Sequence, residues 1–107
     1  MAKISRDRGA AFEREICGYL TSELGYVVKR QLGQARDGGG DILIGPVLIE
    51  CKRRRKVGGP YTWIRQATAA AQPNGQTPVV VVRADGEEAL AIVRLVDLVP
   101  MLRDRLA

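Results

Sequence analysis

Two short apolar runs joined by Gly45-Pro46 most constrain what this chain can fold into. The first is Asp41-Ile42-Leu43-Ile44. The second is Val47-Leu48-Ile49-Glu50-Cys51-Lys52. A two-residue link between apolar runs predicts a β-hairpin. A symmetric register sets Ile44 opposite Val47, Leu43 opposite Leu48, Ile42 opposite Ile49 and Asp41 opposite Glu50. Directly opposed residues have Cβ atoms about 4.5–5.5 Å apart. Side chains alternate along a strand, so Glu50 and Lys52 share a face and Cys51 takes the other. Two carboxylates at that spacing repel, which a cation between them offsets. Oxygen donors at an open edge suit Mg²⁺ or Mn²⁺. Lys52 on the same face can reach a phosphate oxygen or an attacking water.

A surface ion triplet on a peripheral hairpin is the alternative. The flanking residues are nearly all apolar, which makes the hairpin central. Two acids and a lysine on one face of a central hairpin need a reason. Phosphodiester hydrolysis supplies one: a metal polarises the phosphoryl oxygen and acidifies a bound water, and Lys52 orients that water or offsets transition-state charge.

The remaining pattern predicts one α/β domain spanning residues 1–107. A first helix covers residues 8–24, capped by Asp7 or Ser5. Its apolar stripe is Phe12, Ile16, Tyr19, Leu20 and Leu24. Glu13 lies at the stripe's edge, and a carboxylate there needs a partner such as Arg14, Arg30 or a helix end. Glu15 falls just outside the other edge, and Glu23 also falls on the stripe. Gly25 ends the helix. A strand over 26–31 follows, then a loop over 33–40 containing Gly38, Gly39 and Gly40. After the hairpin come a basic run, Lys52 to Lys56, and a linker over 57–60. A second helix covers 60–71, with Pro60 favoured at its start. Pro73-Asn74-Gly75 turns the chain into a strand over 77–83, apolar enough to be buried on both faces. Asp85-Gly86 turns it again into a strand over 89–93, and Asp97 caps a last helix over 98–105.

The net charge of +5 favours a polyanionic partner. There is no histidine, which excludes Ser-His-Asp and Cys-His catalysis and His-dependent zinc sites. Cys17 and Cys51 fit neither a zinc spacing nor a disulfide framework, and read as small buried residues of a reduced, cytoplasmic protein. No signal peptide is predicted. The longest apolar run, over 79–82, is far too short to span a membrane.

The segments Gly9-Ala10-Ala11-Phe12-Glu13-Arg14-Glu15-Ile16, Gly25-Tyr26-Val27-Val28-Lys29-Arg30, Gly40-Asp41-Ile42 and Ile49-Glu50-Cys51-Lys52 resemble the PD-(D/E)XK nuclease superfamily. Within it they are similar to the small Holliday-junction resolvases of archaea and their phage relatives. The resemblance covers roughly the first two-thirds of the chain. It implies a restriction-endonuclease-like αβββαβ core, a central mixed sheet flanked by helices, here with an added strand and helix. It also implies Mg²⁺, with Mn²⁺ possible, held by Asp41, Glu50 and the Cys51 carbonyl, with Glu13 completing the inner or outer shell. Lys52 is then catalytic. Gln66 stands on the second helix, where many members carry a Gln near the metal; an exposed helix residue is its alternative.

The basic residues Arg53, Arg54, Arg55 and Lys56 are expected on DNA phosphates, extended by Arg14, Arg30 and Arg36. Arg30 matches an arginine of the resolvases, whereas Gln31 and Gln34 replace small hydroxyl residues. Tyr61 and Trp63 either stack on bases or serve core or dimer contacts. The expected activity is a metal-dependent endodeoxyribonuclease resolving four-way junctions by paired nicks, as a homodimer in a bacterial or phage-infected cell. The alternatives are a nuclease of this fold acting on flaps or ends, and a DNA-binding module without cleavage. Candidate dimer patches are Trp63 with Ile64, and the last helix with Val99, Met101 and Leu102.

Overall fold

The computed structural model describes residues 2–31, 42–56 and 58–106. Helix α1 spans Ala2–Leu24. It starts earlier than the expected residue 8, so Ser5 and Asp7 lie inside it and neither caps it. Gly25, at φ 77°, ends it, donating its N–H to the Thr21 carbonyl at 3.0 Å. Strands β1 (Ile42–Ile44) and β2 (Val47–Arg54) form the expected hairpin around Gly45. The register is Ile44 to Val47, Leu43 to Leu48 and Ile42 to Ile49, as the symmetric loop predicts. Helix α2 (Pro60–Ala71) and a 3-10 turn (Gln72–Asn74) lead into β3 (Thr77–Ala84), β4 (Leu90–Val93) and helix α3 (Leu95–Leu106).

Among the described residues the sheet has the order β1-β2-β3-β4, with β2 and β3 parallel and the outer pairs antiparallel. This is the expected mixed α/β sheet flanked by helices. The α2 crossover provides the long connection that parallel neighbours need.

Among the described residues, the strand expected over 26–31 shows one bridge, between Arg30 and Ile42. The physical reason lies at Val28. Its N–H donates to the Thr21 hydroxyl at 2.9 Å instead of entering a ladder, and Tyr26 and Val27 are exposed.

Alternation along β2 and β3 divides the core between two faces. Phe12, Ile16 and Cys17 of α1 pack with Val28, Ile42 and Ile49, and Cys51, Val79 and Val81 border that cluster. Trp63, Ile64 and Ala67 of α2 pack on Val80 and Val82 from the other side. β3 is fully buried toward α2 and half-buried toward α1, less enclosed than its run of valines suggests. α3 begins before the expected residue 98, and Asp97 sits in its first turn paired with Arg94 at 2.8 Å. Among the described residues no helix is long and apolar enough to cross a membrane.

Candidate active site

Strand β2 carries the candidate residues. Ile49 and Cys51 turn to the α1 face, so Glu50, Lys52 and Arg54 turn to the α2 face. In register on β3 they meet Val80, Val82 and Ala84, all buried. Glu50 is half-buried and its Oε2 is shielded from solvent. A carboxylate oxygen in apolar surroundings costs free energy unless cationic charge or hydrogen bonds offset it. Lys52, two residues on, supplies one positive charge on that face.

The described ladder between β1 and β2 ends at the Ile42–Ile49 pair, and β2 continues beyond it alongside β3. Asp41 immediately precedes Ile42 in the chain and lies outside the described residues, as do Arg36, Gln34 and Gly38 to Gly40. Among the described residues no three His, Cys, Asp or Glu side chains gather into a metal-binding group. The donor types at β2, a Glu carboxylate with a shielded oxygen and a strand carbonyl at Cys51, are those a hard divalent cation takes. Those two donor types fit such an ion.

Glu13 sits on α1, the helix covering the opposite face, and accepts a hydrogen bond from Arg30 Nε at 2.9 Å. Both are largely shielded. Arg30 also bridges Ile42 through its backbone, so the pair lies beside the start of β1. The partner that an edge-of-stripe carboxylate needs is therefore Arg30. Beside them, burial pushes the Cys17 thiol up from its ordinary range; the Arg30 charge opposes this and the Glu13 charge adds to it. A buried thiol raised in this way is a poor nucleophile. Cys17 in the folded protein is expected to react with a thiol reagent much more slowly than in denaturant, measured by the time course of labelling.

The basic run is not one uniform patch. β2 extends through Arg54, so Arg53 and Arg54 point to opposite faces. The Arg53 side chain is only 16% exposed. Its Nη1 donates to Asp85 Oδ1 at 2.5 Å and to the Arg54 and Arg83 carbonyls at 2.9 and 3.3 Å. Arg54 shares the face of Glu50 and Lys52 and lies over the Trp63 ring, 5.7 Å from its centre. Arg55 and Lys56 are exposed beyond the strand's end, and Arg14 is exposed on α1. The division was signalled by the alternating spacing Glu50-x-Lys52-x-Arg54, once β2 is allowed two more residues.

One feature escaped sequence reasoning, and the core reading of Trp63 holds. Arg83 forks onto the Glu15 carboxylate, and its guanidinium lies 5.4 Å from the centre of the Phe12 ring, fastening α1 to β3. Trp63 is buried in the α2–sheet core, which removes it from base stacking, while Tyr61 is 76% exposed. Gln66 is exposed on α2, one turn beyond Trp63.

No curated protein and no solved structure matches the chain. A family model described as "Phage putative PDDEXK endonuclease" matches residues 4–106, nearly the whole length, and the chain belongs to that family of PD-(D/E)XK endonucleases.

Proposed function

We propose that this endonuclease is a metal-dependent endodeoxyribonuclease that cuts branched DNA, resolving four-way junctions by paired nicks as a homodimer. The carrying observation is the face of β2 that aligns Glu50, its Oε2 shielded, with Lys52 and Arg54. Asp41, Glu50 and the Cys51 carbonyl would hold Mg²⁺ or Mn²⁺, with Glu13 behind them through Arg30 at the start of β1. When bound, such an ion acidifies water and polarises a phosphoryl oxygen. Lys52 donates to the attacking water or to a non-bridging phosphate oxygen, where negative charge grows in the transition state. Arg54, held over Trp63, grips the neighbouring phosphate, and Gln66, exposed on α2, would serve from that helix. The +5 charge favours a DNA backbone.

The deciding experiment incubates the protein with labelled four-way junction, flap, linear duplex and single strand, with Mg²⁺, Mn²⁺ or chelator. Paired symmetric cuts in the junction, lost with chelator and in Asp41→Asn, are expected. Cleavage confined to flaps or ends would replace the junction reading, and binding without cleavage in either metal would make the protein a DNA-binding module.

The split of the basic run gives a separate expected result. Arg54→Gln with Arg55→Gln should flatten the log–log salt dependence of DNA binding by up to about two units, near one per phosphate contact. Arg53→Gln should leave that slope unchanged and cost about 1 kcal/mol of stability, since it unties Asp85 in a partly solvated pair. Titration at several salt concentrations and thermal unfolding read the two effects. A slope loss in Arg53→Gln equal to that in Arg54→Gln would overturn the division.

A further inference from the structure

Resting on the homodimer of the proposed function, we infer that α3 forms its interface, pairing antiparallel with α3 of a second copy. The observation is a helix with nothing buried in its own fold. α3 has 12 residues, none buried, and helices this short are marginal in water without packing. Leu95, Val99, Leu102 and Leu106 recur at spacings of four, three and four, which places them on one stripe. That is the seam spacing of a two-helix coiled coil. Their exposures are 73, 41, 48 and 83%.

The seam continues into an apolar groove of about 560 Å³ between Tyr61, Ile64, Ile92 and Leu95. Trp63 and Ile64, the rival dimer patch by sequence, belong to the monomer's own core.

The occupant follows from spacing, charge and area. A heptad seam is complementary to another heptad seam, and this chain carries one. Arg103 and Arg105 flank the stripe at its C-terminal end. A parallel pair would set these arginines against their own copies and align the helix dipoles. An antiparallel pair sets them beside the other copy's 95–102 segment, which holds no Lys or Arg, and the Arg94 before it is paired with Asp97. In that pairing Leu95 meets the second copy's Leu106, which enters the groove, and Val99 meets its Leu102.

With Tyr61 and Val96, the stripe offers on the order of 400 Å² of apolar surface per protomer. In an interface about two-thirds apolar this corresponds to roughly 1,200 Å² in all, the lower bound of a stable interface. Reversible dimerisation at micromolar concentration is the match to that area.

Sedimentation equilibrium of the full chain across protein concentrations tests this. A monomer–dimer equilibrium is expected, with Leu102→Glu raising the dissociation constant by roughly 100-fold or more. A mixture of Val99→Cys and Leu102→Cys proteins, oxidised without unfolding, should give a disulfide-linked heterodimer in preference to either homodimer. That arm keeps the test open if the charged variant fails to fold. A wild-type monomer at roughly 100 µM, tenfold above a 10 µM dissociation constant, would overturn the interface. So would a dimer indifferent to Leu102→Glu, or a Val99→Cys homodimer as the main product. None of these readouts depends on cleavage, so the interface and the nuclease mechanism fail separately.

Discussion

Glu50→Gln is expected to lower DNA cleavage by at least about 10³-fold, and Lys52→Met by roughly 10²- to 10³-fold, with binding kept in both. Glu50 is the one carboxylate on the Lys52 face of β2, and its Oε2 is shielded. Changing it to an amide keeps the volume and removes the negative charge that a hard divalent ion requires. DNA affinity should stay level or rise, because a negative charge facing phosphates is gone. Lys52→Met keeps the aliphatic stem against Val82 and removes only the ammonium. Its loss should appear in the single-turnover rate and hardly in the binding constant, since the charge it offsets develops in the transition state. Circular dichroism checks that both variants stay folded. Wild-type cleavage by Glu50→Gln would remove Glu50 from the metal set, and an unchanged rate in Lys52→Met would remove Lys52 from the chemistry.

The placement of the candidate residues on β2 was legible because local rules decide it. A two-residue link fixes the hairpin register, and a period of two fixes which side chains share a face. Both rules held from Ile42 to Ile49. The 26–31 segment misled because its fate hangs on one long-range competition: the Thr21 hydroxyl takes the Val28 N–H that a ladder would use. No propensity of Tyr26-Val27-Val28 records that contact.

The basic run misled differently. Five consecutive cations look alike in sequence, yet the strand's continuation through Arg54 sends one arginine into a carboxylate and carbonyl cage and the next toward the Glu50 face. Glu13 shows a third limit. The helical wheel demands a partner for it, and three candidates satisfied that demand; only the packing of α1 selects Arg30.

Trp63→Ala should cost about 3–5 kcal/mol, the range for truncating a large buried aromatic. That is a large share of the roughly 5–15 kcal/mol by which such a domain is stable. Trp63 is 8% exposed and joins Ile64, Ala67, Val80 and Val82 in the cluster that fastens α2 to the sheet. The cavity would open beneath Arg54, whose guanidinium lies over the indole. In a domain of this size a loss of that order lowers the melting temperature by roughly 15 °C or more.

Trp63→Phe separates packing from recognition. It keeps most of the buried ring and weakens the arginine contact by about 0.5–1 kcal/mol. It should therefore bind and cut DNA within a few-fold of wild type. A Trp stacked on a base would instead lose roughly 1–3 kcal/mol of binding when its ring shrinks or goes. Tyr61→Ala supplies the contrast: its exposed ring should change monomer stability by no more than about 0.5 kcal/mol, while weakening self-association through the groove it lines. Thermal unfolding and DNA titration of the three variants decide the assignment. An unchanged melting temperature in Trp63→Ala would mean that α2 is held by Ile64 and its alanines. A collapse of DNA affinity in a well-folded Trp63→Phe would return that ring to the DNA interface.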